Sequence, residues 1–190
     1  MINVYMGVMG SGKDFNATTH MNQSKAKVKI KVAFADAVRD MVWTLLNWEP
    51  KTPIEYSKFK TDGKITLSTI DKHTLSTVSG REFMQKLGTD AVRKYMPDFW
   101  VEIVRNKITD ILKECNLNRE ECDIYITDCR FENELAMLLD FDVRIIFCNF
   151  KSPDYRISDH ESEKLANDLL KEGFEDLEDI TYFIREKYAK

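Results

Sequence analysis

The sequence predicts an α/β protein, a parallel sheet flanked by helices, and three observations lead there. Apolar runs of strand character, Ile2 to Met6, "CDIYITD" and "DVRIIFCNF", are separated by segments whose apolar residues recur at helical spacing. Strands joined through helices pair in parallel and need both faces covered. Three polar segments, "GVMGSGKD", "TDCRFENE" and "KSPDYRISDHESEK", follow predicted strands, and the carboxyl ends of strands are where such sheets bind ligands.

Taken in order, Ile2 to Met6 is a short apolar run that ends at glycine, hence a buried strand, and a helix is expected from Lys13 toward Asn22. In "KAKVKIKVAFAD", Val28, Ile30, Val32 and Phe34 alternate with Lys or Ala, the period of a strand. Val38, Met41, Val42, Leu45 and Leu46 then mark one buried helical face, with Asp36, Arg39, Asp40 and Trp43 opposite. Between Glu49 and Ser79, Pro50, Pro53 and Asp62-Gly63 are turn markers, and "KITLSTIDKHTLSTV" reads as a small hairpin or an irregular insertion. A helical stripe of Met84, Leu87, Ala91 and Tyr95 follows, and Pro97 breaks it before a helix bearing Trp100, Ile103, Val104, Ile108, Ile111 and Leu112. "FENELAMLL" is a short helix, and "FEDLEDITYFIREKY" reads as a helix that buries Leu177, Ile180, Ile184 and Tyr188.

Bulk properties narrow the function. The 190 residues suit one domain, 43% hydrophobic content supports a sizeable core, and a net charge of -4 disfavours a nucleic acid polymer as general partner. No apolar run approaches the roughly 20 residues that span a bilayer, so no membrane association and a cytoplasmic location are expected. Cys115, Cys122, Cys129 and Cys148 form no C-x-x-C pair, which leaves reduced thiols as the reading.

In "YMGVMGSGKDF", Gly7, Gly12 and Lys13 have the G-x-x-x-x-G-K spacing of a phosphate-binding loop, but Asp14 stands where a hydroxyl normally holds Mg²⁺. The loop follows an apolar strand and opens a helix, where backbone N–H groups and the helix dipole favour a phosphate. Gly10 and Gly12 would let the backbone approach a phosphate closely, Lys13 would neutralise β- and γ-phosphates, and Ser11 and Phe15 are the loop's other candidate contacts. Asp14 reads either as a carboxylate favoured in a first helical turn or as an oxygen donor to Mg²⁺.

The segments "GSGKD", "FADAVRDM", "GREFMQKLGTDAVRKYMPDFWVEIV", "ITDCRFENE" and "SDHESE" occur in the order found in bacteriophage-type deoxynucleoside monophosphate kinases, which the chain resembles over nearly its whole length. In that family Asp after the loop lysine is usual. The resemblance implies a P-loop nucleoside monophosphate kinase-like fold, ATP as phosphoryl donor with Mg²⁺, and a deoxynucleoside monophosphate as acceptor. It further implies a single domain over residues 1–190, an acceptor-binding insertion at roughly 49–97, a lid at roughly 150–163, and a homodimer, since relatives are often dimers. Phe15 stands where many relatives carry threonine, and Glu161 where proline is common.

Other residues are weighed on physical grounds. Arg81, Gln85 and Gly88, at i, i+4 and i+7, would grip a phosphate, read a base edge and leave room for a ring; otherwise they form a solvated helix edge with a packing glycine, and Arg93 lies farther round. Trp100 is a core residue or a platform for a base, and Asp36 with Arg39 an acceptor contact or a surface ion pair. Asp128 would steer Mg²⁺ or cap the helix starting near Phe131. Arg130 would hold the acceptor phosphate, with Glu134 orienting its guanidinium or touching substrate. Lys151 and Arg156 would complete the charge around the transferring group, Ser158 and Glu161 make a capping box, and His160 reads as structural. Two other functions share these features: a small-molecule kinase for phosphomevalonate or dephospho-coenzyme A, and a nucleotide-binding module without turnover.

Overall fold

The structure, a computed structural model, describes residues 1–62, 64–68, 74–151, 157, 161–174 and 177–188. Its elements begin with β1 (Ile2–Met6), α1 (Lys13–Gln23), β2 (Val28–Lys31), α2 (Ala35–Leu46), α3 (Pro53–Thr61), β3 (Lys64–Ser68) and β4 (Thr74–Ser79). They continue as α4 (Gly80–Gln85), a π-helix (Lys86–Arg93), α5 (Phe99–Leu117), β5 (Cys122–Ile126), α6 (Glu132–Leu138) and β6 (Val143–Phe147). A 3-10 turn (Glu161–Glu163), α7 (Lys164–Lys171), β7 (Glu178–Asp179) and α8 (Thr181–Tyr188) complete the described chain. Two compact units emerge: Met1–Phe34 with Val101–Lys190, and Ala35–Trp100, the second wider than the insertion expected at roughly 49–97.

In the first unit the sheet order is β2-β5-β1-β6-β7. β1 pairs in parallel with β5 (Ile2 opposite Ile124) and β6 (Met6 opposite Phe147), and β2 with β5; β7 alone is antiparallel. The expected parallel sheet is therefore present, with an antiparallel edge strand, β7, that was not expected. Side-chain alternation sends Ile2, Val4, Met6, Ile124, Ile126, Ile145 and Phe147 into one core with Ile108, Leu135, Leu138, Leu169 and Ile184, while Tyr5, Tyr125 and Ile146 meet Ala17 on the other face. The first face is covered by α5, α6, α7 and α8. The second is thinner and more polar, with the Tyr5 hydroxyl 2.7 Å from His20 Nδ1.

Several expectations change. The strand over Val28 to Phe34 ends at Lys31, although Val32 and Phe34 are still buried. The last helix begins only at Thr181: β7 pairs with β6 first, and Leu177, at φ 59°, is half-exposed outside the helix, while Ile180 and Ile184 are buried as expected. Glu161 opens the 3-10 turn and α7 starts at Lys164, with Glu163 at the N-cap position but no side-chain cap, whereas Ser158 and His160 lie outside the described residues. All four cysteines are buried and none forms a disulfide. Among the described residues no helix is long and apolar enough to cross a membrane.

In the second unit, β3 and β4 pair antiparallel, which favours the hairpin over the irregular insertion as the reading of "KITLSTIDKHTLSTV", but residues 53–61, where Pro53 reads as a turn marker, are helical. The signal was a helix start: Thr52 accepts from Glu55 N, Pro53 occupies the first turn, and Glu55 accepts from Lys51 N. Trp43, assigned to the polar face of α2, packs edge-on against Trp48, Tyr56 and Phe59, and Leu45, assigned inward, is exposed. Helical spacing also fails over residues 86–93. There the π-helix adds backbone to each turn, so Gly88 is buried while Ala91 and Tyr95 face water.

Trp100 belongs to this core. It is 2% exposed and donates Nε1–H to the Gly88 carbonyl at 2.9 Å. Trp100→Phe removes that bond, so a loss of about 0.5–1.5 kcal/mol is expected from urea unfolding; an unchanged midpoint would show that the bond contributes nothing.

Candidate functional site

β1, between β5 and β6 in a parallel arrangement, delivers three strand ends to one edge of the sheet. At the middle end the chain turns at Gly7 with φ 143°, where a Cβ would sit 2.2 Å from the Cys148 carbonyl oxygen and 2.5 Å from Ser11 Oγ. Gly12, left-handed at φ 82°, is the N-cap of α1, and no side chain caps that helix. The loop therefore aims first-turn N–H groups outward while the neighbouring strand holds it from behind.

Lys13 is half-buried, and its ammonium donates to the carbonyls of Gly7 (2.7 Å) and Val8 (2.6 Å). Burial lowers its pKa, the Arg130 charge lowers it further, and Glu163 and Asp14 pull it back up. Two cations within electrostatic reach in a partly desolvated loop repel each other, and an anion between them relieves that repulsion. Ser11 Oγ, fully buried, has no hydrogen-bond partner. A hydroxyl in that condition costs about 1–3 kcal/mol, which a phosphate oxygen would restore.

On the β5 side, Thr127 donates its hydroxyl to Asp14 Oδ1 at 2.8 Å, and Asp128 Oδ1 accepts from Phe34 N at 3.0 Å. Asp128 does not cap α6, whose N-cap is Phe131. Among the described residues no three His, Cys, Asp or Glu side chains gather into a metal-binding group. Asp14 and Asp128 as two carboxylates suit Mg²⁺, a hard ion that binds one or two protein oxygens plus water and phosphate.

Arg130 donates from its guanidinium to Glu163, while its backbone N–H and that of Phe131 donate to Glu134 Oε2 at 2.8 and 3.2 Å. Glu134, expected on the guanidinium or on substrate, thus braces the backbone that carries Arg130. Glu163 was missed, because a carboxylate 33 residues away in sequence has no periodic relation to its partner. Its only trace was membership in "SDHESE".

On the β6 side lies a cleft of about 590 Å³ lined by residues 10–16, residues 148–150 and Leu177. Phe15 and Phe150 are exposed within it, and a Cβ on Gly12 would lie 3.5 Å from Phe150 Cβ, so that ring packs against the loop. Lys151 is exposed, and Arg156 lies outside the described residues.

The remaining candidates sit in the second unit. Arg39 pairs with Asp36 and lies 5.8 Å from the Tyr56 ring centre; burial opposes its charge, but bonds to Tyr56 and Asp36 outweigh that and raise its pKa. Arg81 and Gln85 are exposed on α4, and Arg93 is half-buried. Gly88 packs against Val38, whose methyls would lie 3.3 and 3.4 Å from an added Cβ, and with Trp100 forms an internal contact.

Residues 5–167 match the family model for deoxynucleotide monophosphate kinase. No curated protein matches the chain.

Proposed function

The chain belongs to the deoxynucleotide monophosphate kinase family, and we propose that it transfers the γ-phosphoryl group of ATP to a deoxynucleoside 5'-monophosphate. An acceptor phosphate oxygen forms the new bond to the γ-phosphorus. The bond from that phosphorus to the β–γ bridging oxygen breaks, leaving its electron pair on ADP. Catalysis of this kind rests on positioning and charge neutralisation.

The observation that carries this reading is the glycine loop itself: Gly7 turned tightly against the Cys148 carbonyl, the Lys13 ammonium held on the Gly7 and Val8 carbonyls, and a buried Ser11 hydroxyl with no partner. Arg130, beyond β5, is the second cation, whose charge acts on Lys13. Lys13 suits a donor phosphate and Arg130 an acceptor phosphate. Ser11 and the first-turn amides of α1 would bind the donor tail, and Phe15 and Phe150 offer aromatic faces to its base. Asp14 and Asp128 would hold Mg²⁺, which when bound neutralises charge on the donor phosphates. Lys151 and Arg156 are proposed as further cations for the transferring group.

A coupled assay of ADP release tests the reading, with deoxynucleoside monophosphates, ribonucleotides, phosphomevalonate and dephospho-coenzyme A as separate acceptors. Turnover only with deoxynucleotides is expected. ADP release with another acceptor class alone assigns a different kinase, and ATP binding without acceptor-dependent ADP assigns a binding module. Arg130→Lys, which keeps the charge but loses the planar fork, is expected to raise the acceptor KM about tenfold or more; an unchanged KM removes Arg130 from the site.

A further inference from the structure

Among the described residues, the buried polar or charged side chains are Asn3, Ser11, Glu134 and Glu163. Both acids converge on one residue. Glu134 takes the backbone N–H of Arg130, and Glu163 takes its guanidinium. Such convergence is costly, because each carboxylate is withdrawn from water. Stability alone is a weak reason to keep it, since a buried ion pair is often no better than apolar side chains of similar volume.

The placement of Glu163 sharpens the point. It is the N-cap of α7, where a carboxylate ordinarily accepts from the first-turn amides of its own helix. Its side chain makes no such cap. Instead it reaches Arg130, whose guanidinium is 39% exposed while the Glu163 side chain is 5% exposed. The carboxylate is thus the fixed partner inside, and the cation presents its remaining N–H donors outward. The same carboxylate acts on Lys13 electrostatically, against the repulsion from Arg130.

We infer that Glu163 is a positioning residue, one that fixes the Arg130 guanidinium so that its free N–H groups meet the acceptor phosphate while Glu134 fixes the backbone beneath. The inference rests on the proposed kinase reading. Glu163 touches neither substrate; it acts through Arg130. It therefore governs chiefly how tightly the acceptor is held, and reaches the donor side only through its charge on Lys13.

The test is a mutant cycle with each of the four common deoxynucleoside monophosphates at saturating ATP. Glu163→Gln keeps the shape, removes the charge and leaves Arg130 in contact with water, so the protein should fold. The acceptor KM is expected to rise about tenfold to a hundredfold, with the KM for ATP changed less than about twofold, and Glu163→Asp should restore part of the loss. In an Arg130→Ala background, Glu163→Gln should add nothing; if Arg130→Ala does not fold, Arg130→Lys serves, and the Glu163→Gln effect should shrink there. Equal rises in both KM values, full additivity with the Arg130 variant, or a fall in melting temperature with unchanged KM would each overturn the inference. Absence of turnover in the unmutated protein would instead sink the kinase reading, so the two failures are distinguishable.

Discussion

Lys13→Met should lower kcat by about 10²- to 10³-fold while the protein stays folded. The ammonium donates to the Gly7 and Val8 carbonyls, so it places a positive charge in the loop and also ties two of its backbone acceptors together. Methionine matches the stem in length and flexibility and removes both effects. The loss belongs in kcat, because charge on the bridging oxygen grows as its bond to the γ-phosphorus breaks, and an interaction that strengthens there acts on the transition state. Lys13→Arg should not rescue, since a planar fork does not fit donors aimed at two adjacent loop carbonyls. Circular dichroism and a thermal melt would establish the fold, and turnover at saturating ATP would read the effect. Undiminished activity in Lys13→Met would undo the mechanism.

Gly7→Ala should be the most damaging single-methyl change in the loop. At φ 143° the backbone is strained for any L side chain, and the new carbon would lie 2.2 Å from the Cys148 carbonyl oxygen, a backbone atom of β6's carboxyl end. Strain of about 1–3 kcal/mol joins an overpacking cost of about 1–3 kcal/mol, a large part of the roughly 5–15 kcal/mol that holds a typical domain together. Relief requires the loop to move off β6, which also displaces Ser11 and the first-turn amides. Both the unfolding midpoint and ATP affinity should fall. Gly173→Ala is the control: φ there is 82°, but nothing lies within 4 Å of the added carbon, so only the strain component applies. If the two variants unfold at the same urea concentration, the contact with Cys148 is not what demands glycine at position 7.

Local signals served well where one element carries its own chemistry. The run from Ile2 to Met6, the glycine spacing and Lys13 are contiguous, so strand, turn and helix start are set by neighbours in sequence, and β1, the loop and α1 lie where the pattern puts them. The same holds for β5, α6 and β6. Legibility failed where a competing partner decides. Trp43 looks solvent-facing on a helical wheel, yet α3 supplies Tyr56 and Phe59 to cover it; and α3 itself was hidden because Pro53 reads as a breaker unless its place in the first helical turn is recognised. Over residues 86–93 the assumed period was wrong, since a π-turn shifts every inward position.

From sequence alone came the α/β architecture with a parallel sheet (to which the structure adds antiparallel β7), the glycine loop with its lysine, and membership in a kinase family that the match over residues 5–167 bears out. Tertiary structure was needed for the partners: Thr127 on Asp14, Phe34 N on Asp128, Glu134 beneath Arg130 and Glu163 against its guanidinium. The division has a physical cause. Backbone propensity and side-chain periodicity act over a few residues and leave a readable pattern, whereas an ion pair spanning 33 positions depends on where the sheet and its crossovers bring two distant segments.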